Sequence, residues 1–230
     1  MSSSFQETRW TQVELSRGSS EEARLALSDL CSTYHRPVQA YVRHSCRDPE
    51  QAQDLTQEFF ARLLARPGLE AERGRGRFRS YLLGAVKHFL GEMHRSSHAQ
   101  KRGTGMKHED VALIEKADLQ TLPPDKLFDQ QWACALLDRA LLSLATEMQE
   151  SGRAQLFERL KPWLSDTAAH GDQLQAAAAL NISETAVRVQ VHRLRKRYRE
   201  LVEAEVSQTL TPGVSLQEEM RDLFAALAGR

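Results

Sequence analysis

The sequence predicts an all-α protein of two helical domains joined by a linker, the C-terminal domain being a helix-turn-helix. Three observations lead there. Glycine and proline are sparse, 12 and 7 among 230 residues. Apolar residues recur at spacings of three and four, with no alternating β-branched runs, which is the period of helices that bury one face. Between Gly103 and about Asp129 the composition shifts to Gly, Thr, the pair Pro123-Pro124 and the acids Glu109, Asp110, Glu115, Asp118, Asp125 and Asp129, as in a linker with at most one short helix. The expected division is a first domain over 1–102, a linker over 103–129, a helix-turn-helix domain over 130–210 and a helical extension over 211–230.

Composition narrows the function classes. Hydrophobic residues make up 41% and charged residues 27%, ordinary for a globular chain. Thirty-one basic residues balance 31 acidic ones, so only a local concentration of charge can point to nucleic acid. No stretch is long and apolar enough to span a membrane, and Met1–Trp10 lacks a signal-peptide pattern. The scattered cysteines Cys31, Cys46 and Cys134 suit a reducing compartment, so a cytoplasmic protein without membrane partners is expected. Cys31, His35, His44 and Cys46 lie close in sequence, but no CxxC or HxxxH spacing organises them into a metal site. His170 and Asp166 share a loop with no nucleophile or ligand set beside them. The chain therefore reads as a protein with no catalytic residues, metal or cofactor.

In chain order, a first helix runs from about Glu21 to Cys46, with a bend or break at Pro37. Asp48 is a natural N-cap for the next, Pro49 fits the first helical position, Gln51 can complete a capping box, and Pro67-Gly68 ends it. Ala52, Leu55, Phe59 and Leu63 form its apolar stripe, and Asp54, Gln57 and Glu58 share another face. The loop Arg73-Gly74-Arg75-Gly76-Arg77 follows. It lacks the spacing of a phosphate-binding loop or dinucleotide fingerprint. A helix from about Arg79 to Ser97 then buries Leu82, Val86, Phe89 and Met93. Its opposite stripe reads Tyr81, Gly84, His88, Gly91, Arg95, with Lys87 beside it. An aromatic, bare glycines and cations on one stripe suit single-stranded nucleic acid: bases stack or are extruded there, and cations hold phosphates. Residues 73–102 carry eight Lys/Arg against the single acid Glu92. A glycine-tolerant surface helix is the plainer alternative, and the arginine-rich loop in front of it weighs against that.

The strongest local signal lies at 173–202. Gln173–Leu180 is a short alanine-rich helix, Asn181-Ile182-Ser183 a tight turn plugged by Ile182, and Ser183 caps a long helix from Glu184. Val187, Val191, Leu194, Tyr198 and Leu201 form one buried stripe. Thr185, Val189, His192, Arg193 and Lys196 lie opposite, and Arg188–Arg199 holds six Lys/Arg and no acid. Such a helix can neutralise phosphates and reach base edges in a major groove, with Val189 placed to meet a thymine methyl. A solvated basic helix or coiled-coil seam is the alternative; turn, cap and one-sided charge together favour the helix-turn-helix. After Pro212-Gly213, Leu216, Met220, Leu223, Phe224 and Leu227 mark a last amphipathic helix, read either as a plain cap or as packing on the C-terminal domain.

DPEQAQDLTQEFFARLL at 48–64, GRFRSYLLGAVKHFLGEMHR at 76–95 and LNISETAVRVQVHRLRKRYREL at 180–201 resemble, in order, the core-binding, promoter-melting and helix-turn-helix segments of RNA polymerase sigma factors of the extracytoplasmic-function (ECF) subfamily. The resemblance spans most of residues 20–206. It implies a factor that binds core RNA polymerase, through its β′ and β subunits, and directs it to promoter DNA. Asp54, Gln57 and Glu58 would then face the β′ coiled coil. Arg79, Tyr81, Lys87, His88 and Arg95 would meet the −10 element. Thr185, Arg188, Val189, His192, Arg193 and Lys196 would read the −35 element. Tyr81 and His88 replace the usual tryptophan and asparagine, and Val189 a small polar residue, which leaves the base preferences open. An anti-sigma factor often restrains such factors. A stand-alone helix-turn-helix regulator is the alternative; it would have no use for the acidic face or the glycine-aromatic stripe.

Overall fold

A computed structural model of the chain describes residues 21–46, 48–65, 77–103, 122–164, 172–211 and 213–229. In order these form α1 (Glu21–Ser45), α2 (Pro49–Ala65), α3 (Phe78–Gly103), α4 (Pro124–Glu150), α5 (Ala154–Leu160), a 3-10 turn (Lys161–Leu164), α6 (Asp172–Leu180), α7 (Glu184–Ser207) and α8 (Leu216–Leu227). The fold is all-α, as the 3–4 periodicity predicts, and the only β pairing among the described residues is an isolated bridge between Arg77 and Leu210. The chain divides into two compact units: residues up to Ala135 together with Val206–Arg230, and Leu136–Glu205.

In the first unit α1 is unbroken through Pro37. Proline costs that helix one backbone bond, but Tyr34, Val38, Tyr41 and Val42 around it are all buried, so packing holds the segment helical where propensity alone would break it. Helix α2 starts as its cap residues dictate: the Asp48 side chain accepts the Glu50 N–H at 3.0 Å and its carbonyl accepts the Ala52 N–H at 3.0 Å. Ala52, Phe59 and Leu63 are buried, as the stripe requires, and Thr56 and Phe60 join them. The Thr56 hydroxyl stays satisfied by donating to the Ala52 carbonyl at 2.7 Å. Helix α3 buries Phe78, Leu82, Val86, Phe89 and Leu90. Aromatic contacts knit the three helices: Tyr34 meets Phe78 edge-on at 4.9 Å, and Phe59 meets Phe89 at 5.6 Å.

Two boundaries differ from the expectation. Helix α4 begins at Pro124, inside the stretch read as linker, and its first turns belong to the first unit. The reason is burial: Phe128 and Trp132, four apart, are fully buried, with Phe128 beside Tyr34 and Tyr41. The C-terminal extension also belongs to the first unit, not to the helix-turn-helix domain, because Val206, Thr209, Leu210, Leu223 and Ala226 are buried there. The second unit is thus inserted between two parts of the first, and both crossings fall inside a helix, α4 and α7.

The second unit packs Leu144, Met148, Phe157, Leu160, Trp163, Ala176, Ala177, Val187, Val191 and Leu194 around one core, with Ile182, Tyr198 and Leu201 partly buried against it. Arg195 donates to the Trp163 carbonyl at 2.9 Å and the Tyr198 hydroxyl to the Leu137 carbonyl at 3.0 Å, which ties α7 to its neighbours.

Because Leu223 is fully buried and its neighbour Phe224 is 53% exposed, Leu223→Ala should lower stability by about 2–5 kcal/mol, whereas Phe224→Ala should stay within about 0.5 kcal/mol of the parent. Denaturant melts of the two variants check this; equal effects would place α8 off the core.

Candidate nucleic-acid interface

The turn between α6 and α7 is built as a helix stop followed at once by a helix start. Asn181 adopts φ +52°, the left-handed conformation that asparagine tolerates better than other residues with a side chain. The Ile182 N–H donates to the Ala177 carbonyl at 3.0 Å and the Asn181 N–H to the Ala178 carbonyl at 3.2 Å, the paired bonds of a Schellman stop. Ile182 turns back onto the core, and the Ser183 hydroxyl accepts the Ala186 N–H at 3.1 Å to open α7. Alanines 176 and 177, both buried, let α6 and α7 approach closely.

This turn sets the rotation of α7. Val187, Val191 and Leu194 face inward, and Thr185, Arg188, Val189, His192, Arg193 and Lys196 are all exposed on the opposite side. Their spacings of three and four make one stripe. The structure therefore brings together all six residues predicted to read duplex DNA. Arg188, Arg193 and Lys196 make no ion pair among the described residues, whereas Arg197 forms a two-pronged pair with Glu147 at 2.7 and 2.9 Å and also meets Glu200 at 2.9 Å. These carboxylates raise the Arg197 pKa, and Arg197 in turn holds the Glu147 carboxyl below its ordinary value. The basic run is thus split by role: one edge grips the domain, and the outward edge stays available to phosphates. Val189 is 43% exposed on that outward edge.

On α2, Asp54, Gln57 and Glu58 are exposed together. Glu58 is steadied by Arg62, at 2.5 Å, which also stacks over Phe89 at 5.2 Å. Exposed Leu64 lies on the same side as Gln57, seven residues on, and adds an apolar spot that the sequence reading passed over.

Helix α3 separates its predicted residues into two groups. His88 and Arg95 are exposed and Tyr81 is half-buried, along one stripe with Gly91, where an added Cβ would meet nothing within 4 Å. Lys87, beside them, is paired with Asp125 at 2.6 Å, and this hydrogen bond raises its pKa. Arg79 departs from the expectation. Its side chain is only 12% exposed and lies over the Trp132 ring, 4.3 Å from the centroid. It donates to Asp129 at 2.7 Å, to Glu219 at 3.2 and 3.4 Å and to Asp222 at 3.1 Å. Stepping about 100° per residue puts Arg79 about 160° from Tyr81, on the side of Leu82, Val86 and Leu90. That rotation, available from the sequence, already sets it apart from the open stripe. Here Arg79 lies inside the first unit, away from the open stripe.

The carboxylate it meets, Glu219, was not singled out from sequence. It is fully buried, and Arg77 reaches it from the other side at 2.9 Å. Burial pushes its carboxyl pKa up, while Arg79 and Arg77 pull it down. The only trace in the sequence is Glu219 falling on the apolar side of α8 between Leu216 and Leu223. The Thr209 carbonyl completes the junction by accepting the Phe78 N–H at 3.0 Å.

Residues 30–99 match the family model described as Sigma-70 region 2. The matched stretch runs from α1 to near the end of α3, less than a third of the chain, and includes both the acidic face of α2 and the open stripe of α3. Searches of curated proteins and of solved structures returned no match. No described helix is long and apolar enough to cross a membrane.

Removing the Arg79 guanidinium should be costly, since it strands a buried carboxylate. Arg79→Ala should lose about 3–5 kcal/mol, and Arg79→Lys should recover only part of it because the fork is lost. Thermal melts of both variants test this; a loss below about 1 kcal/mol for Arg79→Ala would show that the pair is merely a surface contact.

Proposed function

We propose that this chain is a transcription initiation factor of the ECF type, which binds core RNA polymerase and directs it to particular promoters. The observation that carries the reading is the match of residues 30–99 to Sigma-70 region 2. The geometry of the second unit, which the match does not cover, supports the rest: a capped α7 with a cationic outward stripe suits a major groove. On this reading Asp54, Gln57, Glu58 and Leu64 form the polymerase-facing surface, with the β′ coiled coil as the partner. Tyr81, His88 and Arg95, with Lys87 at their edge, engage the opened −10 strand, and Arg79 is replaced in that role by its own structural one. Thr185, Arg188, Val189, His192, Arg193 and Lys196 read the −35 duplex.

The division of labour follows from the energetics. Unstacking and extruding bases costs a few kcal/mol per step, which capture on the α3 stripe offsets. Phosphate contacts by α7 supply sequence-independent affinity, and Arg, His and Val side chains reach base edges. Polymerase joins both contacts in one complex, so neither needs high affinity alone. The factor works wherever core polymerase does, which places it in the cytoplasm.

Core polymerase mixed with the chain should form a stable complex and start RNA at new promoters in a run-off assay. No association with core and no new start sites would overturn the reading, and a duplex footprint unaffected by polymerase would favour a stand-alone regulator. Within a working holoenzyme, Arg193→Ala should weaken −35 promoters by about 1–3 kcal/mol, roughly fivefold to a hundredfold in transcript at limiting factor. Gly91→Ala gives a separate check: it should stabilise α3 by up to about 1 kcal/mol yet reduce promoter opening, scored by permanganate footprinting. Opening that rises with stability would exclude close approach of DNA at Gly91.

A further inference from the structure

The start of α3 carries an anion site that is already filled from within the chain. Among the described residues, every side-chain partner of Arg77 is a carboxylate of α8: Asp222 at 2.8 Å, Glu219 at 2.9 Å and Glu218 at 3.4 Å. Arg79 shares Glu219 and Asp222 but also holds Asp129 and the Trp132 ring, neither of which comes from α8. If α8 withdrew, Arg79 would stay anchored and Arg77 would be left without a counter-charge. Arg77 is the last of the basic run Arg73, Arg75, Arg77, and it stands at the entrance to the helix whose open stripe carries Tyr81, His88 and Arg95.

We propose that the acidic face of α8 is an internal substitute for nucleic-acid backbone, which occupies Arg77 until promoter DNA displaces it. The inference rests on the reading of α3 as the −10 element. Three features support exchange over a permanent clip. Glu218 and Asp222 are about half exposed, so their pairs with Arg77 are screened by solvent and weak. Glu219 is held charged only against the cost of its own burial, the larger influence on its pKa. The two free oxygens of a phosphodiester can accept from both ends of the guanidinium, which here meet separate carboxylates, so one phosphate can replace several of these contacts. Lys87 with Asp125 repeats the arrangement at the edge of the stripe. DNA arriving along α3 would thus replace carboxylates, and α8 would tune how readily the −10 strand is engaged.

The test uses holoenzyme reconstituted from the full chain and core polymerase, with a fluorescent single-stranded oligonucleotide carrying the −10 sequence of a promoter found by run-off transcription. Glu218→Gln/Asp222→Asn removes two half-exposed charges and leaves Glu219 and the core in place. The double variant should bind the oligonucleotide severalfold more tightly. Its affinity should also fall more steeply with salt, because phosphate contact at Arg77 no longer has to displace these carboxylates. Adding Arg77→Ala to the double variant should abolish the gain. Unchanged affinity and slope would overturn the proposal, as would a gain that survives Arg77→Ala. A lower melting temperature with weaker binding would also overturn it, by making α8 a brace only. Failure of the parent chain to bind core polymerase would instead defeat the sigma-factor reading, an outcome separable from a working parent whose double variant behaves identically.

Discussion

A fully buried carboxylate, Glu219, is the constraint around which the first unit is arranged. An ionised carboxylate without water survives only with counter-charges and hydrogen bonds close by, and Arg77 and Arg79 supply both. Satisfying Glu219 therefore fixes the approach of α8 to the first turn of α3. The same guanidinium of Arg79 extends to Asp129 and Trp132, so the start of α4 is fixed as well. One side chain thus links three segments far apart in sequence, and the bridge between Arg77 and Leu210 runs beside it. Replacing such a cluster with apolar residues could be neutral for stability; what the charges provide is a specific register between α3, α4 and α8.

That junction changes the meaning of the chain's last segment. Read along the sequence, residues 211–230 follow the helix-turn-helix and look like its appendix. In the fold, the unit that carries the helix-turn-helix is inserted into the unit that carries α1–α3, and the last segment closes the latter. Both passages between units run through helices, α4 and α7, instead of through the glycine- and proline-bearing stretch expected to be the linker. The acids read as linker composition include Asp125 and Asp129, which pair with Lys87 and Arg79.

Local rules made much of this legible. The Asp48 cap, the Asn181-Ile182-Ser183 turn and the buried stripes of α2, α3 and α7 follow from a few residues of sequence each, because caps, left-handed asparagine and helical periodicity are short-range physics. The outward stripe of α7 was legible for the same reason: once its inner face is set, the outer one follows. Long-range pairing was not legible. Nothing local says that Glu219 faces Arg79 across 140 residues, or that Phe128 packs with α1. Pro37 misled in the opposite direction, since tertiary burial outweighed a single helix-breaking residue. Arg79 is a different case: rotation about the helix axis already put it on the inner face, while the resemblance placed it in the nucleic-acid set.

The neutral net charge of the whole chain, which argues against a nucleic-acid partner at first sight, has a structural explanation. The run at 73–102 is strongly basic, and three of its described cations carry acids from elsewhere in the chain: Glu218, Glu219 and Asp222 on Arg77 and Arg79, Asp125 on Lys87. On α7 the compensation is partial, with Arg197 taken by Glu147 and Glu200 while the outer stripe remains cationic. Because counterion release scales with the number of unpaired cations that meet phosphate, pairing of this kind lowers the affinity for free DNA that charge alone can supply. Under the proposed function this is what the task requires. A factor with an uncompensated basic face would spread over the large excess of non-specific DNA. One whose cations are held by its own acids engages strongly only where polymerase concentrates both units on one promoter.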